Sequence, residues 1–286
     1  MKVFVIGVGL IGGSFALALK EAYKNVTIFG IDNNDAYLNE ALELGVIDEK
    51  VDWNDLGEAE IVYTAIPVNV LCELLPEILD RVSDDTLVID GGSTKSLICE
   101  AVKEHPKRRN FLAAHPIAGT EFSGPSAAIK DLYKNKTNII CEVEKTAFKL
   151  QEKALKIFTD IGMRIRYMDP HSHDKHIAYV SHLSHISAFM LGKTVIEKEE
   201  ENERDIFDMA GSGFESTVRL AKSSPAMWTP IFQQNKTNVL ETLEKYIANL
   251  QQFRDLMVQD DYESIYEVME NTNKIKEILK GITVKN

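Results

Sequence analysis

The tightest constraint on this chain sits at its start. The segment KVFVIGVGLIGGS sets Gly7, Gly9 and Gly12 in the spacing GxGxxG, directly after an apolar strand-like run and at the opening of a helix-like one. In that setting the first glycine permits a tight turn, the second lets backbone amides reach a ligand, and the third lets helix pack on strand. The N-terminus of such a helix presents N–H donors and a partial positive charge to a phosphate. Leu10 and Ile11 fill the two variable positions, and Gly13 and Ser14 extend the turn. A glycine spacing alone is weak evidence. Asp32 strengthens it, because it closes a second strand, VTIFGID, about 20 residues beyond Gly12, where an acid meets the ribose hydroxyls of a dinucleotide. A carboxylate there repels a 2′-phosphate, so NAD is expected in preference to NADP, held by Gly7, Gly9, Leu10, Ile11, Gly12 and Asp32.

The rest of the first half agrees. KVFVI, VTIFGI, IVYTAI, TLVID, NFLAAH, NIICEV and RIRYM read as strands, and several are nearly continuous apolar runs, as strands covered on both faces must be. Helically spaced segments such as FALALKEAY and VLCELLPEILDRV separate them. That alternation predicts an α/β domain with a doubly wound, mostly parallel sheet of the Rossmann type over residues 1–168.

After Asp169 the strand signals stop, and an all-α region is expected over residues 169–286. Between Ile177 and Gly192 the only ionisable side chains are tyrosine and histidine, which predicts a helix buried on all sides. A second long helix is expected from Pro225, capped by Ser224, with Val239, Leu243, Tyr246, Leu250, Phe253 and Met257 forming a pairing seam. A last helix should run from about Asp261 to Leu279, and the acidic run EKEEENERD (197–205) should be a solvated loop.

Composition excludes some functions. A net charge of −12 argues against nucleic acid, whose phosphates demand clustered Lys and Arg. No apolar run approaches a membrane span and no signal peptide is evident, so a cytoplasmic protein is expected. Cys72, Cys99 and Cys141 are widely spaced and should be buried, reduced thiols.

In a doubly wound sheet ligands sit beyond the carboxyl ends of the strands. Two such ends carry chemistry: TLVIDGGSTKS supplies Ser93, Thr94 and Lys95, and NFLAAHPIAGTE supplies His115, Thr120 and Glu121. An imidazole near neutral pH can accept the proton of a substrate hydroxyl as hydride leaves the same carbon. His171, His173, His176, His182 and His185 also crowd into 15 residues. A metal site is not expected there, because no Cys or paired carboxylate completes a tetrahedral set. His173 and Asp174 should instead form a hydrogen-bonded network at the pocket wall.

GVGLIGGS, the GSTK stretch, HPIAGTE, HDKHIAYVSHLSH and GSGFESTVRLAKSSPAMW, in this order, resemble the prephenate dehydrogenase family over nearly the whole chain. The resemblance implies a Rossmann domain followed by a helical dimerisation domain, hence a homodimer. It also implies oxidative decarboxylation of prephenate to 4-hydroxyphenylpyruvate with reduction of NAD, a step of tyrosine biosynthesis. Carried to matching positions, it makes His115 the catalytic histidine. Ser93 becomes the serine that orients that histidine and the substrate hydroxyl and also touches the cofactor. Arg219 would hold a substrate carboxylate and His185 the side-chain end. Thr120 and Glu121 lie in a closing loop, while Trp228 and His173 line the pocket. Ser184 departs from a proline expected in many relatives, which bears on helix geometry more than on chemistry.

An acidic protein that binds a dicarboxylate must present fixed cations, and Arg219 is one of three arginines after position 170, with Arg204 and Arg254. Alternatives remain open at this level. One is arogenate as substrate. Another is a β-hydroxyacid or pyrroline-carboxylate type dehydrogenase, the former using a catalytic lysine such as Lys95. A third is a non-catalytic NAD-sensing dimer. Feedback inhibition by tyrosine is a further expectation, and no appended regulatory segment is evident.

Overall fold

Eight strands form one sheet in the order β3-β2-β1-β4-β5-β6-β7-β8. They are β1 (Lys2–Ile6), β2 (Thr27–Ile31), β3 (Glu49–Lys50), β4 (Ile61–Thr64), β5 (Leu87–Asp90), β6 (Phe111–Pro116), β7 (Thr137–Cys141) and β8 (Arg164–Met168). The computed structural model describes residues 1–200 and 206–284. Pairing is parallel from β3 through β6, antiparallel between β6 and β7, and parallel again between β7 and β8. The first six strands have the order of a dinucleotide-binding sheet, with the direction of winding reversing between β1 and β4. Every predicted strand is present. The two-residue β3 has no apolar alternation and left no signal in the sequence.

Helices α1 (Leu10–Ala22), α2 (Asp35–Glu43), α3 (Val68–Arg81), α4 (Ser96–Ala101) and α5 (Phe148–Asp160) belong to the α/β part. Two apolar clusters sandwich the sheet, one including Val3, Val5, Phe15, Leu19 and Tyr63, the other Phe4, Ile6, Val62, Leu71 and Leu75. Alternate residues of β1 thus face opposite clusters, which is why the strand is apolar throughout. Each fully buried side chain of this kind stabilises the fold by roughly 1.5–3 kcal/mol. Phe15 stacks on Tyr63 with ring centroids 3.9 Å apart, fixing α1 to β4.

The chain divides into two compact units, Met1–Asn235 and Lys236–Asn286. The first unit continues with α6 (Pro170–Ile177), a π-helical turn at Ala178–His182, α7 (Leu183–Glu200), α8 (Ser212–Val218) and α9 (Pro225–Gln234). The second contains α10 (Lys236–Val258), α11 (Tyr262–Thr272) and α12 (Ile275–Val284).

Several helical expectations are corrected. The helix opening at Pro225 ends at Asn235, whose φ of −102° and ψ of 24° interrupt it before α10. Ser224 occupies the cap position, but its side chain caps nothing. The last predicted helix is two, divided around Asn273. Residues 197–200 of the acidic run are helical, and 201–205 lie outside the described residues. The Ile177–Gly192 segment is not buried on all sides: Val180 is 73% and Met190 51% exposed, while Ala178, His182 and Ala188 are buried. Cys99 and Cys141 are buried as expected, but Cys72 is only partly so. Among the described residues no helix is long and apolar enough to cross a membrane.

Candidate active site

The glycine turn joins β1 to α1. Gly7 has φ +91°, and a side-chain carbon there would stand 2.4 Å from the Ala65 carbonyl oxygen. The same atom on Gly12 would stand 1.9 Å from the Gly7 oxygen. No side chain caps α1 at Gly9, so its first-turn amides are left for a ligand. The Asp32 carboxylate accepts from the backbone N–H groups of Val8 (3.1 Å) and Asn34 (3.0 Å), which ties the end of β2 to the turn. An uncapped helix start beside a fixed carboxylate suits a dinucleotide, with pyrophosphate at Gly7–Gly12 and ribose at Asp32.

The loop after β6 closes on this turn. The Ser14 hydroxyl accepts from Ile129 N–H at 2.8 Å, and a carbon added to Gly9 would stand 3.9 Å from Gly124 N. Gly124 itself has φ +87° and lies against the Tyr37 ring. In this loop Thr120 Oγ1 accepts from Phe122 N–H, and Glu121 Oε2 accepts from Arg219 Nη1 at 2.7 Å.

His115 lies at the end of β6 and is 9% exposed. Its Nδ1 is 2.8 Å from His173 Nε2, and His173 Nδ1 is 2.8 Å from Asp174 Oδ1. The Asp174 carboxylate also accepts from Lys95 N–H (2.8 Å) and Ser96 N–H (2.9 Å). Burial, together with the neighbouring His173, Lys95 and His182, holds the His115 imidazole well below the usual histidine range. Burial also lowers His173, against the pull of Asp174. Asp174, although buried, is held below the usual carboxylate range by the hydrogen bonds it accepts from His173, Ser96 and Lys95. No hydrogen bond joins the Ser93 side chain to His115 among the described residues; the partner of His115 is His173.

Beneath His115 lies a buried ion pair that sequence inspection did not find. Lys95 Nζ contacts the Asp90 carboxylate and donates to the Ala114 carbonyl at 2.8 Å, while Asp90 Oδ1 accepts from Ala114 N–H at 2.7 Å. Both side chains are wholly buried. The β5–β6 register runs only to Ile89 and Leu112, so the pair takes over where the ladder ends and fixes the backbone that carries His115. An Asp–Lys spacing of five residues across a glycine turn was the only available signal.

The helical side completes the arrangement. Asn235 Nδ2 donates to the Asp174 carbonyl at 2.6 Å and lies 3.2 Å from His182 Nδ1. His182 packs edge-on against Trp228, with centroids 5.8 Å apart, and His185 stacks on the same indole at 3.5 Å. Burial pushes His182 down to about 4. It also lowers His185, which has Arg219 as an electrostatic neighbour and its Nδ1 2.9 Å from the Ser181 carbonyl. The buried Nε2 of His182 and Nε1 of Trp228 find no partner among the described residues. Contacts therefore run from His115 through His173, Asp174 and Asn235 to His182, Trp228 and His185, and Arg219 is paired with Glu121 of the loop after β6. The histidine cluster is dispersed among these partners, and among the described residues no group of three ligating side chains is placed to hold a metal. An apolar cavity of about 620 Å³ between α7 and α9, lined by Ile186, Phe189, Trp228 and Phe232, includes neither His115 nor Arg219.

The family model for the prephenate dehydrogenase nucleotide-binding domain matches residues 15–167, and that for the prephenate dehydrogenase dimerization domain matches residues 169–271. A prephenate dehydrogenase of Bacillus subtilis is 32% identical over 272 residues, covering 92% of this chain and 72% of the relative. A cyclohexadienyl dehydrogenase of Zymomonas mobilis is 27% identical, covering 96% and 95%. The crystal structure of prephenate dehydrogenase from Aquifex aeolicus with hydroxyphenyl propionate and NAD+ superposes with a TM-score of 0.87 at 33% identity, covering 97% of both chains.

Proposed function

This chain belongs to the prephenate dehydrogenase family, and from that premise we propose that it oxidatively decarboxylates prephenate to 4-hydroxyphenylpyruvate, with NAD as oxidant. The observation that carries the reading is the buried imidazole of His115 at the end of β6, on the same sheet edge as an uncapped dinucleotide turn. Bound on the Gly7–Gly12 turn and Asp32, NAD supplies the acceptor for the hydride that leaves C4 of the substrate ring.

The residues of the chain do the rest. His115, kept neutral by burial, accepts the C4 hydroxyl proton through Nε2, the ring nitrogen turned away from His173 and without a hydrogen-bond partner among the described residues. The ring carboxylate departs as carbon dioxide, and its bonding electrons enter the ring, which becomes aromatic. Arg219 exchanges its partner Glu121 for a substrate carboxylate, with guanidinium geometry suited to a bidentate pair. His185, stacked on Trp228, lines the side-chain end, and Thr120 and Glu121 close over the substrate. His173 borders the pocket from α6, and Ser93 faces the cofactor and the hydroxyl. The division at Met168/Asp169 then separates the cofactor-binding part from the helical part.

The active form is proposed to be a homodimer built through the helical region. Val180 in the π turn, Met190 and Ile196 on α7, and Ile247, Leu250 and Phe253 on α10 are apolar and exposed in the single chain, more than a monomer normally leaves to water. The matched dimerization-domain model supports the same assembly. Sedimentation velocity should find a dimer that Leu250→Glu with Phe253→Glu weakens; a wild-type monomer would sink this assignment.

The test of the activity is NADH formation from prephenate, then from arogenate. A larger kcat/KM for arogenate would reassign the substrate. His115→Asn should lower kcat by ~10²–10⁴-fold; turnover close to wild type would refute the assigned proton acceptor.

A further inference from the structure

Resting on the reading of His115 as proton acceptor, we infer that His173 and Asp174 form a tautomer clamp: they are positioning residues that keep the His115 proton on Nδ1 and leave the Nε2 lone pair to the substrate hydroxyl. The argument runs outward from Asp174. Its carboxylate accepts from Lys95 N–H and Ser96 N–H, so it is pinned and carries no proton of its own. His173 Nδ1, 2.8 Å away, must therefore be the donor. A neutral imidazole protonated on Nδ1 has a lone pair on Nε2. That lone pair faces His115 Nδ1 at 2.8 Å, so His115 Nδ1 must donate in its turn. One proton per ring then leaves Nε2 of His115 unprotonated. The opposite tautomer of His115 would set two lone pairs against each other at 2.8 Å inside a buried site.

The titratable neighbours of His115 are His173 from α6, backed by Asp174, Lys95 from the β5 turn, paired with Asp90, and His182 from the π turn. Of these, the one hydrogen-bonded to His115 among the described residues is His173, so its protonation is what changes the clamp. A second proton makes His173 Nε2 a donor, forces His115 Nδ1 to accept, and places a proton on Nε2, where it blocks the base. The two imidazoles then titrate as a coupled pair.

The clamp makes predictions that mere docking of α6 onto the 90–96 segment does not. In the unliganded wild type, ¹⁵N NMR of histidine side chains should show His115 as the Nδ1–H tautomer. His173→Leu and Asp174→Asn should lower kcat by ~10²–10³-fold, as expected when a general base is held in the wrong tautomer. KM should change little, and the Asp174→Asn His115 signal should move toward Nε2–H. His173→Gln should recover at least ~10-fold over His173→Leu, because an amide oxygen can accept the same hydrogen bond. A structural role alone would give equal losses in the Gln and Leu variants with the His115 tautomer unchanged, and that result overturns the inference. So does an Nε2–H tautomer in the wild type, a measurement that needs no variant to fold. Loss of activity in His115→Asn alongside full activity in His173→Leu would refute the clamp alone, whereas an active His115→Asn removes the reading beneath it.

Discussion

At the residue scale the most instructive side chain is Lys95. Read in sequence, a lysine just past a strand end beside a dinucleotide turn could be the catalytic lysine of a β-hydroxyacid dehydrogenase. In the fold it has no exposure and is spent on Asp90 and the Ala114 carbonyl. Its removal should therefore act on stability. Lys95→Met strands the Asp90 carboxylate in the interior, already pushed upward by burial, and should cost about 3–5 kcal/mol, while Asp90→Leu with Lys95→Met should cost less. Urea unfolding of the two proteins would decide it; a stable Lys95→Met protein with kcat abolished would restore the catalytic reading. His115 was visible because a histidine just past a strand end already implies chemistry, and Arg219 and Glu121 because the motifs around them resemble those of the family. His173 and Asp174 were expected to form a hydrogen-bonded pair at the pocket wall, and they do, but nothing in linear spacing marked His173 as the partner of His115.

At the element scale, the strands were legible because burial on both faces demands continuous apolar runs, which few other structures need. Helix boundaries in the second half were less so. Asn235 breaks the helix between Gln234 and Lys236, yet the apolar spacing continues across it. That break lets its side chain reach the Asp174 carbonyl and His182. The π turn at Ala178–His182 likewise shifts the helical phase in a segment with no proline or glycine to announce it. The β1–α1 junction is the opposite case, because geometry and sequence specify each other. Gly12→Ala should drive α1 off β1, since its new carbon meets the Gly7 oxygen at 1.9 Å. A cost of about 3 kcal/mol is expected from such overpacking, with NAD binding weakened in calorimetry. Gly119→Ala, where the added carbon meets nothing within 4 Å, should stay within about 0.5 kcal/mol of wild type. Equal effects at the two positions would contradict the packing argument.

At the scale of the whole molecule, three buried histidines make the fold acid-sensitive. His115, His173 and His182 all have folded-state values below that of an unfolded histidine, so on acidification the unfolded chain takes up protons first. The stability they contribute is complete above about pH 6.5 and is lost as pH falls through the window toward about 4 set by His182. His182 alone accounts for roughly 3 kcal/mol across that window. Calorimetry should show Tm falling steeply between pH 6.5 and 5, and His182→Gln should flatten the decline; an unchanged slope would count against it. Sequence by itself determined the sheet and the dinucleotide turn, because each rests on local rules of period and sterics, and it singled out His115 as the proposed base by its place at a strand end and by family resemblance. Tertiary structure alone decided which histidine holds His115, that Lys95 is buried against Asp90, and how Arg219 meets Glu121. The first and last of those pairings join residues far apart in the chain, which only the folding of the sheet and its helices brings within hydrogen-bond reach, and the short Asp90–Lys95 spacing becomes a buried pair only once β6 covers it.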